Sequence, residues 1–267
     1  MSLEVHLDSL TPQEMADKAA ALGARKTALP ILSMFTLALL AGAFIGWGAM
    51  FATTTAAAAS SLPYGVARLL VGLTFCLGLI LVVVGGAELF TGNNLIVMAW
   101  ASRRISTWAL LRNWLIVYLG NFVGSLGTAV LVFLGRQYAS GAGSVGEAAL
   151  NIAVGKVNLG FIQALALGVL CNGLVCLSIW LTYSARSVAD KILAILFPIS
   201  AFVAAGFEHS VANMYFIPYA LLVKTFDPSF ALAKAIDLSS LTWGTFFLKN
   251  LLPVTLGNIL GGSVLGA

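Results

Sequence analysis

The chain has 267 residues, 60% hydrophobic and 9% charged, with a formal net charge of +4 and a mean hydropathy of +0.99. An ordinary soluble domain is about 25% charged, so the composition argues against a soluble fold and describes a polytopic membrane protein. Its bases sit at helix ends as topology signals, not as a nucleic-acid surface, and its apolar runs are continuous, unlike the alternating strands of a β-barrel.

Residues 1–28 read as a polar, cytoplasmic N-terminal segment with a short amphipathic helix. Thr11-Pro12-Gln13-Glu14 combines an N-cap, a proline at the first helical position and a capping-box acid. Met15, Ala19 and Leu22 add a weak apolar stripe, and Gly23 offers an end. The reading is a surface helix or, more pointedly, a lid over a channel mouth. Glu4, Asp8, Glu14 and Asp17 precede the first base, the reverse of a signal peptide.

Residues 29–267 form the transmembrane domain. Its first span runs from about Leu29 to Phe51. The next apolar run, Leu69 to Trp100, lies between Arg68 and Arg103 and holds one charge, Glu88. As a straight helix it would extend roughly 48 Å, against about 30 Å of hydrocarbon, yet it is too short for two spans and a turn. It is expected to break over Gly85–Asn94. A third span covers Trp108–Leu134, followed by a Gly/Ser-rich loop with Lys156, and a fourth covers Leu159–Tyr183. The run Ile192–Val223, between Lys191 and Lys224, is expected to break over Gly206–Asn213. An insertion falls around 225–245, and a sixth span covers Phe246–Leu265. Cys76, Cys171 and Cys176 lie inside apolar runs and read as packing, with no disulfide framework, metal site or cofactor implied.

The two long runs belong to an internal repeat, with halves at about 29–134 and 159–267. Gly86-x-Glu88-x4-Asn93 recurs as Gly206-x-Glu208-x4-Asn213. Arg112-Asn113-x-Leu115-x-Val117-x-Leu119-Gly120-Asn121-x-x-Gly124 recurs as Lys249-Asn250-x-Leu252-x-Val254-x-Leu256-Gly257-Asn258-x-x-Gly261. Three spans per half is an odd number, so the copies are expected to be inverted, with both termini on one side. Arg25, Arg103, Arg104, Arg112 and Arg186 fall on that side and Arg68 and Arg136 on the other, which makes it the cytoplasmic side.

The breaks carry the chemistry. Asn93 and Asn213 read as N-caps of the half-helices that follow, their dipole ends favouring a small anion. Glu88 and Glu208 read as acceptors for freed backbone N–H groups. His209, one of two histidines with His6, stands beside the second break. Charge at hydrocarbon depth is costly, so such a residue usually faces a cavity or a substrate path. Its unperturbed pKa of about 6.5 lets an imidazole lend a charge or a proton at physiological pH.

These residues resemble the formate/nitrite transporter family, and its formate-channel branch in particular. The carriers are Glu88-Leu89-Phe90-Thr91-Gly92-Asn93, Gly206-Phe207-Glu208-His209-Ser210-Val211-Ala212-Asn213-Met214 and Leu252-Pro253-Val254-Thr255-Leu256-Gly257-Asn258. The resemblance implies an aquaporin-like, all-α fold of six transmembrane helices in two inverted three-helix repeats. It implies a homopentamer in the bacterial inner membrane, embedded in lipid, each protomer with its own pore. It places Thr91 and His209 at the pore centre with Glu208 and Ser210 beside them, and gives Lys156 and Asn172 roles in drawing in the anion or holding the histidine. It assigns Phe75, Leu79, Leu89, Phe90, Val175 and Phe202 to two constrictions. By themselves those six read as core packing, Asn172 as an interhelical hydrogen bond, and Lys156 as a loop lysine.

The expected function is passive or proton-linked passage of small monovalent weak-acid anions, formate first, with His209 donating a hydrogen bond or proton. Gly92-Asn93-Asn94 leaves nitrite or hydrosulfide open, while Phe207 and the longer segment before span six resemble formate channels. A cation or proton pathway through Glu88 and Glu208 is the rival from another class. A membrane enzyme is disfavoured for want of a ligand or hydrolytic cluster.

Overall fold

The computed structural model describes residues 9–57 and 59–267, and among them there are helices and connecting segments but no strand. His6, Glu4 and Asp8 lie outside the described residues. Helix α1 (Pro12–Thr27) starts as its sequence predicts, with Thr11 and Glu14 closing the capping box. It does not end at Gly23, because that glycine is the point of close approach to the next elements. A Cβ there would stand 3.0 Å from that of Ala99. The helix therefore runs on to Arg25 and Lys26, bases that suit its negative end. It is docked: Leu10 N–H donates to Ser184 Oγ at 2.7 Å, and Lys18 Nζ to the Tyr183 carbonyl at 2.5 Å.

The remaining α-helices are α2 (Ile31–Ala57), α3 (Tyr64–Gly85), α4 (Val97–Ala101), α5 (Thr107–Leu134), α6 (Ser144–Val157), α7 (Phe161–Ser184), α8 (Val188–Ala204), α9 (Ser210–Phe226), α10 (Pro228–Ala233), α11 (Trp243–Thr245) and α12 (Leu252–Leu260). Four of these, α2, α3, α5 and α7, are long and apolar enough to cross a membrane. The fifth apolar run is divided between α8 and α9. The sixth is a chain of segments: α11 passes through π-helical turns at Phe246–Leu251 into α12 and a second π-helical turn at Gly261–Leu265. The segment expected as a Gly/Ser-rich loop is largely helix α6. Val145, Ala149, Leu150, Ala153 and Val157 are buried along it at helical spacing, and Lys156 lies in its last turn.

Both long runs break where their length and glycines predict. Helix α3 stops before Gly86 (φ +76), with Ala87 N–H donating back to the Val82 carbonyl at 2.9 Å. Helix α8 stops before Gly206 (φ +78), with Phe207 N–H donating to the Phe202 carbonyl at 3.0 Å. These are the same left-handed, glycine-centred endings. The extended pieces beyond are tied to neighbouring helices, Glu88 N–H to the Leu37 carbonyl (3.2 Å) and Glu208 N–H to the Leu167 carbonyl (3.3 Å).

Helix pairs meet backbone to backbone. Gly124 of α5 lies directly on the Leu39 carbonyl of α2, and Gly261 lies on the Val169 carbonyl of α7, leaving no room for a side chain at either place. Between lipid-facing helices such close approach is a main source of association. Gly124→Ala should lower the thermal midpoint in detergent, at a cost of about 1–3 kcal/mol for overpacking. Gly127→Ala, on the same helix and facing open space, should raise it by removing about 0.5–1 kcal/mol of helix penalty. Equal midpoints for the two variants would contradict this account of the α2–α5 contact.

Candidate functional site

An interrupted helix frees backbone donors and acceptors that an apolar surrounding cannot satisfy. One asparagine repairs each break. Asn121 Nδ2 donates to the carbonyls of Ala38 (2.7 Å) and Glu88 (2.9 Å), while its Oδ1 accepts from Phe90 N–H at 2.8 Å. In the second half, Asn258 Nδ2 donates to the carbonyls of Gly168 and Glu208 (both 2.9 Å), and its Oδ1 accepts from Ser210 N–H at 2.9 Å.

Beside each asparagine lies a buried charge cluster. Glu88 accepts from Asn93 Nδ2 at 2.7 Å and pairs with Lys26 Nζ at 3.0 Å, while Asn113 Oδ1 accepts from Asn93 Nδ2 at 2.9 Å. Glu208 accepts from Asn213 Nδ2 at 2.7 Å and from Asn250 Nδ2 at 3.1 Å, and pairs with Lys156 Nζ at 2.7 Å. Asn250 Oδ1 accepts from Asn213 Nδ2 at 2.7 Å.

Two expectations are corrected here. Asn93 and Asn213 are not helix caps: both sit inside helical turns with their amides claimed by a glutamate and a distant asparagine. The glutamate side chains hold lysine and asparagine side chains, whereas the freed N–H groups of Phe90 and Ser210 go to Asn121 and Asn258 and those of Glu88 and Glu208 to the Leu37 and Leu167 carbonyls.

Lys26, Asn113, Asn121, Asn250 and Asn258 were not singled out from sequence as site residues. A signal for Lys26 exists: Lys26-x-x-Leu29 and Lys156-x-x-Leu159 extend the repeat one motif further toward its start.

His209 is the N-cap of α9. Its Nδ1 accepts from Ala212 N–H at 3.0 Å, and its Nε2 stands 2.9 Å from Thr91 Oγ1. With Nδ1 committed as an acceptor, the neutral ring carries its proton on Nε2 and donates it to Thr91. Phe202 stacks on the imidazole, with ring centroids 5.9 Å apart. Asn172 does not meet the imidazole in a hydrogen bond. Its Nδ2 donates to the Thr91 carbonyl (3.2 Å), Asn94 Oδ1 (2.7 Å) and the Asn258 carbonyl (2.7 Å), holding Thr91 from behind. The hydroxyl of Ser210 is buried without a partner and lies outside the cavities described next.

Three spaces lie in series. A chamber of about 190 Å³ on the α1 side is lined by Lys26, Glu88, Leu89 and Asn93, with Ala19, Leu22 and Gly23 of α1 as one wall. A chamber of about 300 Å³ on the α6 side is lined by Arg68, Asn151, Lys156, Phe202, Glu208 and His209. Between them is a gap of about 10 Å³ lined by Ile45, Phe75, Leu79, Leu89, Val175, Ile199, Phe202 and His209. It shares Leu89 with the first chamber and Phe75, Phe202 and His209 with the second. A space of that size holds about one water at most.

The structure thus brings together five of the six expected constriction residues. The sixth, Phe90, turns away, its ring 4.9 Å from Tyr118 and 6.3 Å from Trp114. Leu89 and Phe90 leave the irregular backbone on different sides, and only Leu89 reaches the gap. Ile45 and Ile199 were invisible as site residues, since an isoleucine in an apolar helix carries no signal of which space it faces. At the foot of α1, burial and the nearby charges of Arg186 and Lys191 hold the Lys18 ammonium below the ordinary lysine pKa.

Two chambers edged by charged side chains and separated by an apolar pinch, within a helical body whose long helices suit a membrane, define a membrane channel or transporter. The comparisons agree. The family model described as formate/nitrite transporter matches residues 13–267. The chain is 43% identical to the formate channel FocA of Escherichia coli K12, over 99% of its own length and 94% of that protein's. It is 41% identical to the FocA of Haemophilus influenzae, over 96% and 92%. A solved pentameric formate channel with formate bound superposes with a TM-score of 0.81 at 41% identity, covering 88% of this chain and 93% of that one. The chain belongs to the formate/nitrite transporter family, a family of membrane transport proteins and not of enzymes.

Replacing Asn258 with Leu would leave Ser210 N–H and the Glu208 and Gly168 carbonyls without this partner. At about 1–3 kcal/mol for each unsatisfied buried group, Asn258→Leu should destabilise the protein far more than an average core substitution. Thermal melting of the purified protein is the check, and a midpoint within two or so degrees of wild type would discount the clamp.

Proposed function

We propose that the protein is a formate channel, passive or proton-linked, acting as a homopentamer in the bacterial inner membrane with one pore per protomer. On this reading six helical segments cross the bilayer in two inverted repeats with both termini cytoplasmic. The recurrence of each clamp and charge cluster in the second half supports the repeat, and the distribution of arginines supports the orientation. The pentamer and the choice of formate rest on the likeness to the solved pentameric channel and to the formate channels.

The observation that carries the reading is His209 on the wall of the pinch, with its Nε2 held 2.9 Å from Thr91 Oγ1, which lies behind it and outside the three spaces. A bare anion moving into an apolar gap loses its water at heavy cost. Lys26 and Lys156 edge the two approaches, each balanced by its glutamate, so an anion is drawn in without a permanent trap. At the gap, the Nε2–H that Thr91 now accepts is the donor within reach, and an arriving carboxylate takes Thr91's place. A hydrogen bond from the neutral ring disperses the charge that must pass Phe75, Phe202, Leu79 and Leu89. Transfer of the proton requires the ring first to take a second proton at Nδ1, releasing Ala212 N–H, so that the neutral acid leaves a neutral imidazole behind. Asn172 keeps the Thr91 backbone in position while the side chains exchange partners. The gap must widen for a formate ion, so Phe202 or its neighbours move during passage.

The glutamate pair is a weaker candidate as a cation path, because each carboxylate is already occupied by a lysine and by asparagine amides. Nitrite is the nearer alternative, with hydrosulfide behind it, and a panel of anions across liposomes at two pH values separates them. His209→Phe should abolish proton-linked formate movement in those liposomes while leaving the oligomer intact. Undiminished flux would remove His209 from the mechanism. Phe202→Ala, which deletes the ring stacked on the imidazole, should raise formate flux and admit a larger carboxylate such as acetate. If acetate is still excluded, the selectivity lies elsewhere.

A further inference from the structure

Arg68 has no part in the mechanism above, and its placement is one-sided. It lies near the start of α3, partly buried, and its guanidinium reaches across to the end of α8. Nε donates to the Ala204 carbonyl at 3.0 Å and Nη2 to the Val203 carbonyl. These carbonyls belong to the last turn of α8, where a helix gathers roughly half a negative elementary charge. Immediately beyond, the chain turns at Gly206 into Phe207, Glu208 and His209, and a Cβ on Gly206 would stand 3.5 Å from Nη2. Arg68 and Gly206 line the same chamber as Lys156, Glu208 and His209. The approach to the imidazole is thus edged by a helix end that repels anions, and a guanidinium covers that end.

The repeat shows that making the break does not require this arginine. The register that pairs Glu88 with Glu208 pairs Arg68 with Val188, since 208 − 88 and 188 − 68 are both 120. Helix α3 ends in the same glycine-centred turn with an apolar residue at the corresponding place. The charges differ as well. Lys26 is balanced by Glu88 and Lys156 by Glu208, whereas Arg68 has no carboxylate partner among the described residues. The α6-side chamber therefore carries one uncompensated positive charge beside its helix end, and its Nη1 is not used by the two carbonyl bonds.

We propose that Arg68 is a positioning residue of the α6-side approach: by masking the carbonyl end of α8 and leaving a net positive charge in the chamber, it concentrates a small monovalent anion ahead of His209 on that side alone. The inference rests on the channel reading given above, and it makes the two mouths electrostatically unequal.

The test is formate conductance of wild type, Arg68→Gln and Arg68→Lys in planar bilayers, with formate titrated at one face while the other is held fixed. Wild type should half-saturate at lower formate on one face than on the other. Arg68→Gln should raise the half-saturation at that face by about tenfold, on the order expected for one partly buried charge, and leave the other face unchanged. Arg68→Lys should recover most of the loss, and added gluconate salt should shrink the difference by screening. Equal loss at both faces in a properly assembled Arg68→Gln oligomer, or no change at either, overturns the proposal while the channel reading stands. Loss of assembly in Arg68→Gln together with equal half-saturation at both faces in Arg68→Lys and wild type overturns it as well. A wild-type protein that passes no monovalent anion overturns both.

Discussion

A helix can be interrupted inside an apolar body only if the N–H and C=O groups it releases find partners, and Asn121 and Asn258 each satisfy one N–H and one C=O group of a break here. Each is fully buried, each donates to a carbonyl of the break and a carbonyl of a neighbouring helix, and each accepts one backbone N–H. A primary amide suits the task because it offers two donors and an acceptor on one short side chain. Without these clamps the extended pieces that carry Leu89, Thr91 and His209 would have no defined path, and the pinch would have no walls.

The clamps in turn require close helices. Asn121 reaches the Ala38 carbonyl because α5 lies on α2 with Gly124 against a backbone carbonyl, and Asn258 reaches Gly168 because Gly261 lies on α7 in the same way. Glycines at the crossings, asparagines between them and lysine–glutamate pairs below form one structure built twice. Burying an ion pair is weakly stabilising at best, but removing one partner strands the other charge. The four side chains of each cluster, all buried but the lysine, thus fix geometry more than they supply net stability.

Against that doubled frame, the departures between halves fall around Thr91 and the gap. Asn172 stands where the first half has Gly42, and Asn94 where the second has Met214, so only one side has the amide that grips the Thr91 carbonyl. His209 occupies the position of Leu89, giving one apolar and one ionisable face to the same gap. A scaffold with recurring contacts holds the chain in place, and a few residues unmatched between the halves lie where the gap is formed.

Much of this was legible without coordinates. The apolar runs were too long for one crossing and too short for two, and Gly86 and Gly206 marked the turns, so the breaks could be located from local information. His209 could be named because ionisable residues in such a setting are rare, whereas Thr91 could be named only through the family resemblance. Phe90 shows the limit: whether a ring faces the gap or Tyr118 depends on dihedral angles in an irregular segment, which no periodicity encodes. Asn213 shows another, since a good N-cap by type was captured by Glu208 and Asn250, and the imidazole two residues before α9's second position took over the cap. Composition, spacing and the repeat therefore determined that the chain enters a membrane, where it breaks and which ionisable group stands at the break. Only the tertiary structure decided which partner each polar group holds, because those partners lie tens of residues away in sequence and meet through helix crossings set by backbone contact.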